Sequence, residues 1–259
     1  MTDFGQAWIL GPALGIIQAY LLRISLGRLG DPGSSLHSEA TCRSCGGELG
    51  MAAGIPVIGT ILHLGKCKHC GTGLSAPFLF FEFAIILITI WLFYTQPLLI
   101  AMEASVFALA LIGLALADMK YWLIPNGYVL IILFLALMEI VSGTMQLENA
   151  IKGMGVGLAV GLLLILPQLQ DKGDGGPALG DVKLVLALGL WLGWILAIYV
   201  FFLASILALL WWLIEGFRSG LSTKRRLAFG PFVALWALVM GLGKLLDPQF
   251  VVHLMSFRI

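Results

Sequence analysis

From Pro97 to Ala117 the chain reads PLLIAMEASVFALALIGLALA, an apolar run in which Glu103 is the sole ionisable side chain. A run of this length suits the roughly 20 residues that a helix needs to cross a hydrocarbon layer. Similar runs recur along the sequence, and their recurrence constrains the fold more than any other feature. In hydrocarbon every backbone N–H and C=O must find a partner inside the protein, and continuous apolar runs meet that demand as helices. Composition agrees: 60% of residues are hydrophobic and 11% charged, against roughly a quarter charged in soluble domains. The fold class expected is therefore an all-α polytopic membrane protein of about eight transmembrane helices, at 4–22, 78–95, 98–117, 123–142, 151–168, 183–197, 198–214 and 229–246. The stretch from Leu184 to Ile214 has no polar loop. A turn near Tyr199 makes it two short spans, and one steeply tilted helix is the alternative. The N-terminal WILGPALGIIQAYLL lacks a preceding basic region and a small-residue cleavage site, so it is expected to be a retained span.

One sizeable polar insertion, residues 23–77, separates the first span from the second. The expected domains are a first transmembrane helix at 1–22, a cytoplasmic zinc-binding domain at 23–77 and a transmembrane catalytic domain at 78–259. Sidedness follows from the basic residues. With 23–77 in the cytoplasm, that side holds Arg23, Arg28, Arg43, Lys66, Lys68, Lys120, Lys172, Lys183, Arg218, Lys224, Arg225 and Arg226. Only Lys152, Lys244 and Arg258 fall on the other side. The net charge of +1 and the lack of a phosphate-binding basic tract exclude nucleic acid as an expected partner.

This topology sets two carboxylates at one membrane face. Asp118 ends the inbound run 98–117, and Asp181 closes the glycine-rich loop before the outbound run 183–197. An ionisable residue at the edge of hydrocarbon is a functional hypothesis by default. Two carboxylates brought close share a proton, so that one activates water as a base while the other polarises a carbonyl as an acid. The plainer alternative makes Asp181 a helix cap and Asp118 a solvated span terminus. Asp171 and Asp174, in the same polar loop, are expected to be simply solvated.

Four cysteines fall in two C-x-x-C pairs, Cys42 with Cys45 and Cys67 with Cys70. The spacing C-x2-C-x21-C-x2-C supplies four sulfurs for one tetrahedral zinc, a closed and therefore structural site. Gly46 and Gly71 follow the pairs where such turns need a positive φ. Two disulfides or free thiols are the alternative, and a reducing cytoplasm disfavours the first. Glu82, Glu103 and Glu139 are expected to face the bundle interior or an interface. Trp191, Trp194, Trp211 and Trp212 read as interface anchors, and GMGVG, from Gly153 to Gly157, reads as helix packing rather than a nucleotide loop.

These segments, in this order, resemble the type IV prepilin leader peptidases, membrane aspartic peptidases of bacterial pilus and type II secretion systems. The resemblance covers nearly the whole chain. It rests on the paired C-x-x-C knuckles, GIPVIGTILHLGKCKHCG between and including the second, and SAPFLFFEF with Glu82. It continues in ADMKYWLIPN, where Pro125 lies seven residues after Asp118, in GDVKLVLALGLWLG from Gly180, and in FGPFVAL from Phe229. Two positions depart from the pattern: Ala178 replaces the first glycine of G-x-G-D, and Lys120 stands where many members carry a second acid. The resemblance implies an endopeptidase with Asp118 and Asp181 as catalytic residues. Its substrates would be type IV prepilins or pseudopilins, cleaved after a glycine at the cytoplasmic face of the bacterial inner membrane. It also implies N-methylation of the new terminus from S-adenosylmethionine, a step for which no donor site is legible. The alternative from another class is a non-enzymatic transporter or scaffold whose paired acids bind a proton or cation, with acids near the midplane on broken helices.

Overall fold

The computed structural model describes residues 4–30, 45, 69–71, 76–170, 179–220, 227–247 and 249–256. Within them the apolar runs fold as helices: α1 Phe4–Gly30, α2 Ala76–Thr95, α3 Leu98–Tyr121, α4 Asn126–Ser142, α5 Leu147–Gln170, α6 Leu179–Ser219, α7 Gly230–Leu246 and α8 Phe250–Ser256. Trp8–Leu26, Leu98–Tyr121, Leu147–Leu166 and Leu179–Arg218 are long and apolar enough to cross a membrane. The apolar parts of α2, α4 and α7 are shorter. The chain is a helical membrane protein. It divides into two compact units, Met1–Gly113 and Leu114–Ile259.

In the first unit α1 runs through to Gly30, beyond the expected end at 22, and packs against α2. The approach is close because glycine faces backbone: a Cβ on Gly15 would lie 3.1 Å from the Ile86 Cα. Small residues at such crossings let van der Waals contact replace the hydrophobic drive that lipid removes. Polar groups inside this unit are paired with one another. Thr89 Oγ1 donates to Gln18 Oε1 at 2.8 Å, and Gln18 Nε2 donates to Ser105 Oγ at 3.1 Å. Glu82 is fully buried and accepts from Arg23 Nε at 2.6 Å and Nη2 at 2.8 Å. Such a fork satisfies a carboxylate with geometric specificity that lysine cannot supply. Glu82 thus faces the interior, as expected of an acid inside an apolar run.

In the second unit α5 and α6 lie antiparallel at backbone contact. A Cβ on Gly153 would fall 2.1 Å from the Gly189 carbonyl oxygen, and one on Gly157 would fall 2.3 Å from that of Val185. Gly153 and Gly157 of GMGVG therefore serve helix packing. Helix α6 has 41 residues, about 60 Å at 1.5 Å per residue, roughly twice the hydrocarbon thickness. It is broken at Gly193, with φ 75° and ψ 171°. The break falls at this glycine rather than near Tyr199, because only glycine adopts that backbone without steric cost.

Groups on both sides of the break find partners. The Trp194 N–H donates to Asn149 Oδ1 at 3.4 Å, and Lys244 Nζ donates to the Trp191 carbonyl at 2.6 Å. Lys244 also pairs with Glu139 at 2.6 Å and sits 4.2 Å from the centre of the Trp191 ring. Trp191 is fully buried. It is not the interface anchor expected from its aromatic character; its ring is core, held beneath a cation. Trp194 and Trp211 remain exposed.

Candidate active site

The second unit gathers polar groups at the end opposite Glu139 and Lys244. Helix α3 continues beyond the apolar run to Tyr121, so Asp118 lies inside its last turn rather than after it. Lys120 in the same turn complements the helix dipole. The Trp122 N–H closes on the Asp118 carbonyl at 3.0 Å, and Trp122 then takes φ 55°, a left-handed conformation unusual for a bulky residue. Pro125, extended at φ −67° and ψ 132°, precedes α4. Its ring fits a helix start and bars continuation of the preceding helix.

Asp181 lies in the first turn of α6. The helix begins at Leu179, so Asp181 is inside it and not its cap. The start of α6 rests on the link after α3: a Cβ on Gly180 would meet Ile124 Cβ at 3.4 Å. Lys183, one turn into α6, donates to Asn126 Oδ1 at the start of α4. These contacts set the first turn of α6, which carries Asp181, against the link that follows Asp118.

The two acids differ in setting. Asp181 is half-buried. Asp118 is 6% exposed, and its Oδ2 accepts the Gly230 N–H at 2.9 Å. Asp118 is therefore not the solvated terminus that its place after an apolar run suggested. Its side chain turns inward and finds a backbone donor. That donor is not legible in the sequence. FGPFVAL marked the segment, but a main-chain N–H has no residue type by which to be recognised.

The other expected site residues are less fully placed. Cys45 and Cys70 are exposed, whereas Cys42 and Cys67 lie outside the described residues. Gly71 has φ 70°, the positive φ expected of the glycine after Cys70. Among the described residues no group of three or more His, Cys, Asp or Glu side chains is arranged to hold a metal. Asp171 and Asp174 also lie outside the described residues.

Apolar helices of membrane-spanning length, with two carboxylates at one end of a unit, define a helical membrane protein with a candidate aspartate pair. Comparison with known proteins narrows the class. Residues 105–213 match the type IV leader peptidase family, and residues 13–96 match the bacterial peptidase A24 N-terminal domain. A prepilin leader peptidase/N-methyltransferase of Dichelobacter nodosus is 32% identical over 77% of this chain and 69% of its own length. One of the same name from Burkholderia pseudomallei is 31% identical over 76% of this chain and 64% of its own. One from Bacillus subtilis is 29% identical over 80% and 82%. No solved structure matches. The chain belongs to the type IV leader peptidase family, and it is a peptidase.

Proposed function

We propose that the chain is an aspartic endopeptidase that removes the leader from type IV prepilins or pseudopilins at the cytoplasmic face of the bacterial inner membrane. The observation that carries this reading is the seating of the first turn of α6, which holds Asp181, against the link that follows Asp118. Under the proposal, the unprotonated member of the pair takes a proton from water as the oxygen adds to the scissile carbonyl. The protonated member donates a hydrogen bond to that carbonyl, whose oxygen gains the electron pair. Collapse of the tetrahedral adduct breaks the C–N bond, and the amine leaves with a proton from the pair. A substrate anchored by its apolar helix presents its leader junction at the boundary where water and both acids meet. In this reading the shorter helices also span and α6 crosses twice at Gly193, giving eight spans with the basic excess on the cytoplasmic side.

Two further parts belong to the same proposal. Cys42, Cys45, Cys67 and Cys70 hold one structural zinc, which staples a small domain with little apolar core of its own. The new amino terminus is then methylated with S-adenosylmethionine as co-substrate, as the relatives' names suggest. No side chain is assigned to that step. The rival transporter or scaffold reading needs its two acids near the midplane on broken helices. Asp118 instead lies in the last turn of α3 and Asp181 in the first turn of α6, which favours the peptidase. The test is incubation of the detergent-purified protein with a prepilin, followed by intact-mass and N-terminal mass spectrometry. Loss of the leader after its glycine supports the peptidase; an unchanged prepilin supports the rival.

A further inference from the structure

Helix α7 starts without a side-chain cap: Phe229 offers no polar atom, and Pro231 has no N–H to satisfy. The Phe232 and Val233 N–H groups both close on the Phe229 carbonyl at 3.2 Å. The remaining donor at this start is the Gly230 N–H, and it goes to Asp118 Oδ2 at 2.9 Å in a buried setting. Asp118 therefore occupies, from another helix, the place of an N-cap acceptor. A carboxylate suits the partial positive charge of a helix start.

The absence of a side chain at Gly230 has the same explanation. Its φ lies outside the left-handed region, so the backbone alone would accept alanine. The carboxylate would not. A Cβ on Gly230 would lie 2.6 Å from Asp118 Oδ2 and 3.1 Å from its Cγ, in space the acid already fills. Asp118 is a side chain near its own backbone and cannot retreat as a long flexible chain would. Asp181 has no comparable anchor among the described residues.

We propose that Gly230 is a positioning residue for the cleavage reaction: its N–H fixes the Asp118 carboxylate relative to Asp181, and its missing side chain leaves the room that carboxylate occupies. This rests on the aspartic peptidase reading. Gly230 touches neither substrate nor water in this role and acts only through Asp118.

The test compares wild type, Gly230→Ala and Gly155→Ala in prepilin cleavage. Gly155 is exposed, and a Cβ there meets nothing within 4 Å. Gly230→Ala is expected to lower kcat on the order of 10- to 100-fold, as small misplacements of reacting groups do. KM should stay within about threefold of wild type, since the change touches positioning rather than uniform binding. The pH dependence of kcat should be displaced as well, which a merely structural role would not produce. Gly155→Ala should match wild type in all three. Should Gly230→Ala fail to accumulate, a backbone ester at position 230 decides, because it removes the N–H without adding an atom. Wild-type kcat and pH profile in folded Gly230→Ala or in the ester overturn the proposal while wild-type cleavage leaves the peptidase reading intact. No cleavage by wild type removes the reading beneath it.

Discussion

Lys244 shows how a single side chain can hold a break in a membrane helix. It meets the Trp191 carbonyl, the Trp191 ring and Glu139, and both charged side chains are largely buried. Removing the cation leaves an acid in an apolar setting, a loss of about 3–5 kcal/mol for buried pairs. Lys244→Met should therefore lower the thermal midpoint in detergent sharply. Glu139→Gln combined with Lys244→Met should lose less than Lys244→Met alone, because the stranded charge is then gone. Thermal unfolding of wild type and the two variants checks this, and a double variant no more stable than Lys244→Met would refute the coupling. The sequence marked Glu139 as an acid turned inward but did not supply its partner. Lys244 lies in a separate apolar run, and only tertiary packing joins them. Asp118 was marked for the opposite reason, as a charge where a run ends, yet its burial and its bond to Gly230 were not legible.

At the scale of elements, the α5–α6 pair depends on glycines whose Cβ positions are occupied by a facing backbone. Gly153→Ala places a methyl group against the Gly189 carbonyl, and backbone cannot step aside as a side chain can. Overpacking of this kind costs about 1–3 kcal/mol or more. Gly155→Ala, on the open side of the same helix, should leave stability unchanged or slightly raised, since alanine is the better helix former by about 1 kcal/mol. Comparison of the two midpoints separates packing from propensity. Helix existence was readable because apolar length decides it in hydrocarbon. The position of the break in α6 was not, because no polar loop marks it. Gly193 was one glycine among several, and only its φ distinguishes it.

For the whole molecule, the proposal joins a zinc-stapled insertion to a helical peptidase. Reduced, purified protein should contain about one zinc per chain, and Cys42→Ser or Cys67→Ser should lower it. Metal analysis checks this; full occupancy in either variant would remove those sulfurs from the site. Cleavage in these variants should fall only indirectly, because both aspartates are untouched. The motif order along the chain made the family legible. Pairing of the cysteines and depth of the acids are spatial facts that spacing alone does not give. The central claim is that Asp118 and Asp181 act as one proton-sharing unit, and the direct test is the cleavage rate of the asparagine variants. Asparagine keeps size and polarity but cannot exchange the proton. Purified Asp118→Asn and Asp181→Asn should each cut prepilin slower by roughly 10³-fold or more, with the double variant little worse, as for residues that act together. Asp171→Asn and Asp174→Asn should cut at the wild-type rate. Wild-type cleavage by either Asp118→Asn or Asp181→Asn in folded protein would contradict the account.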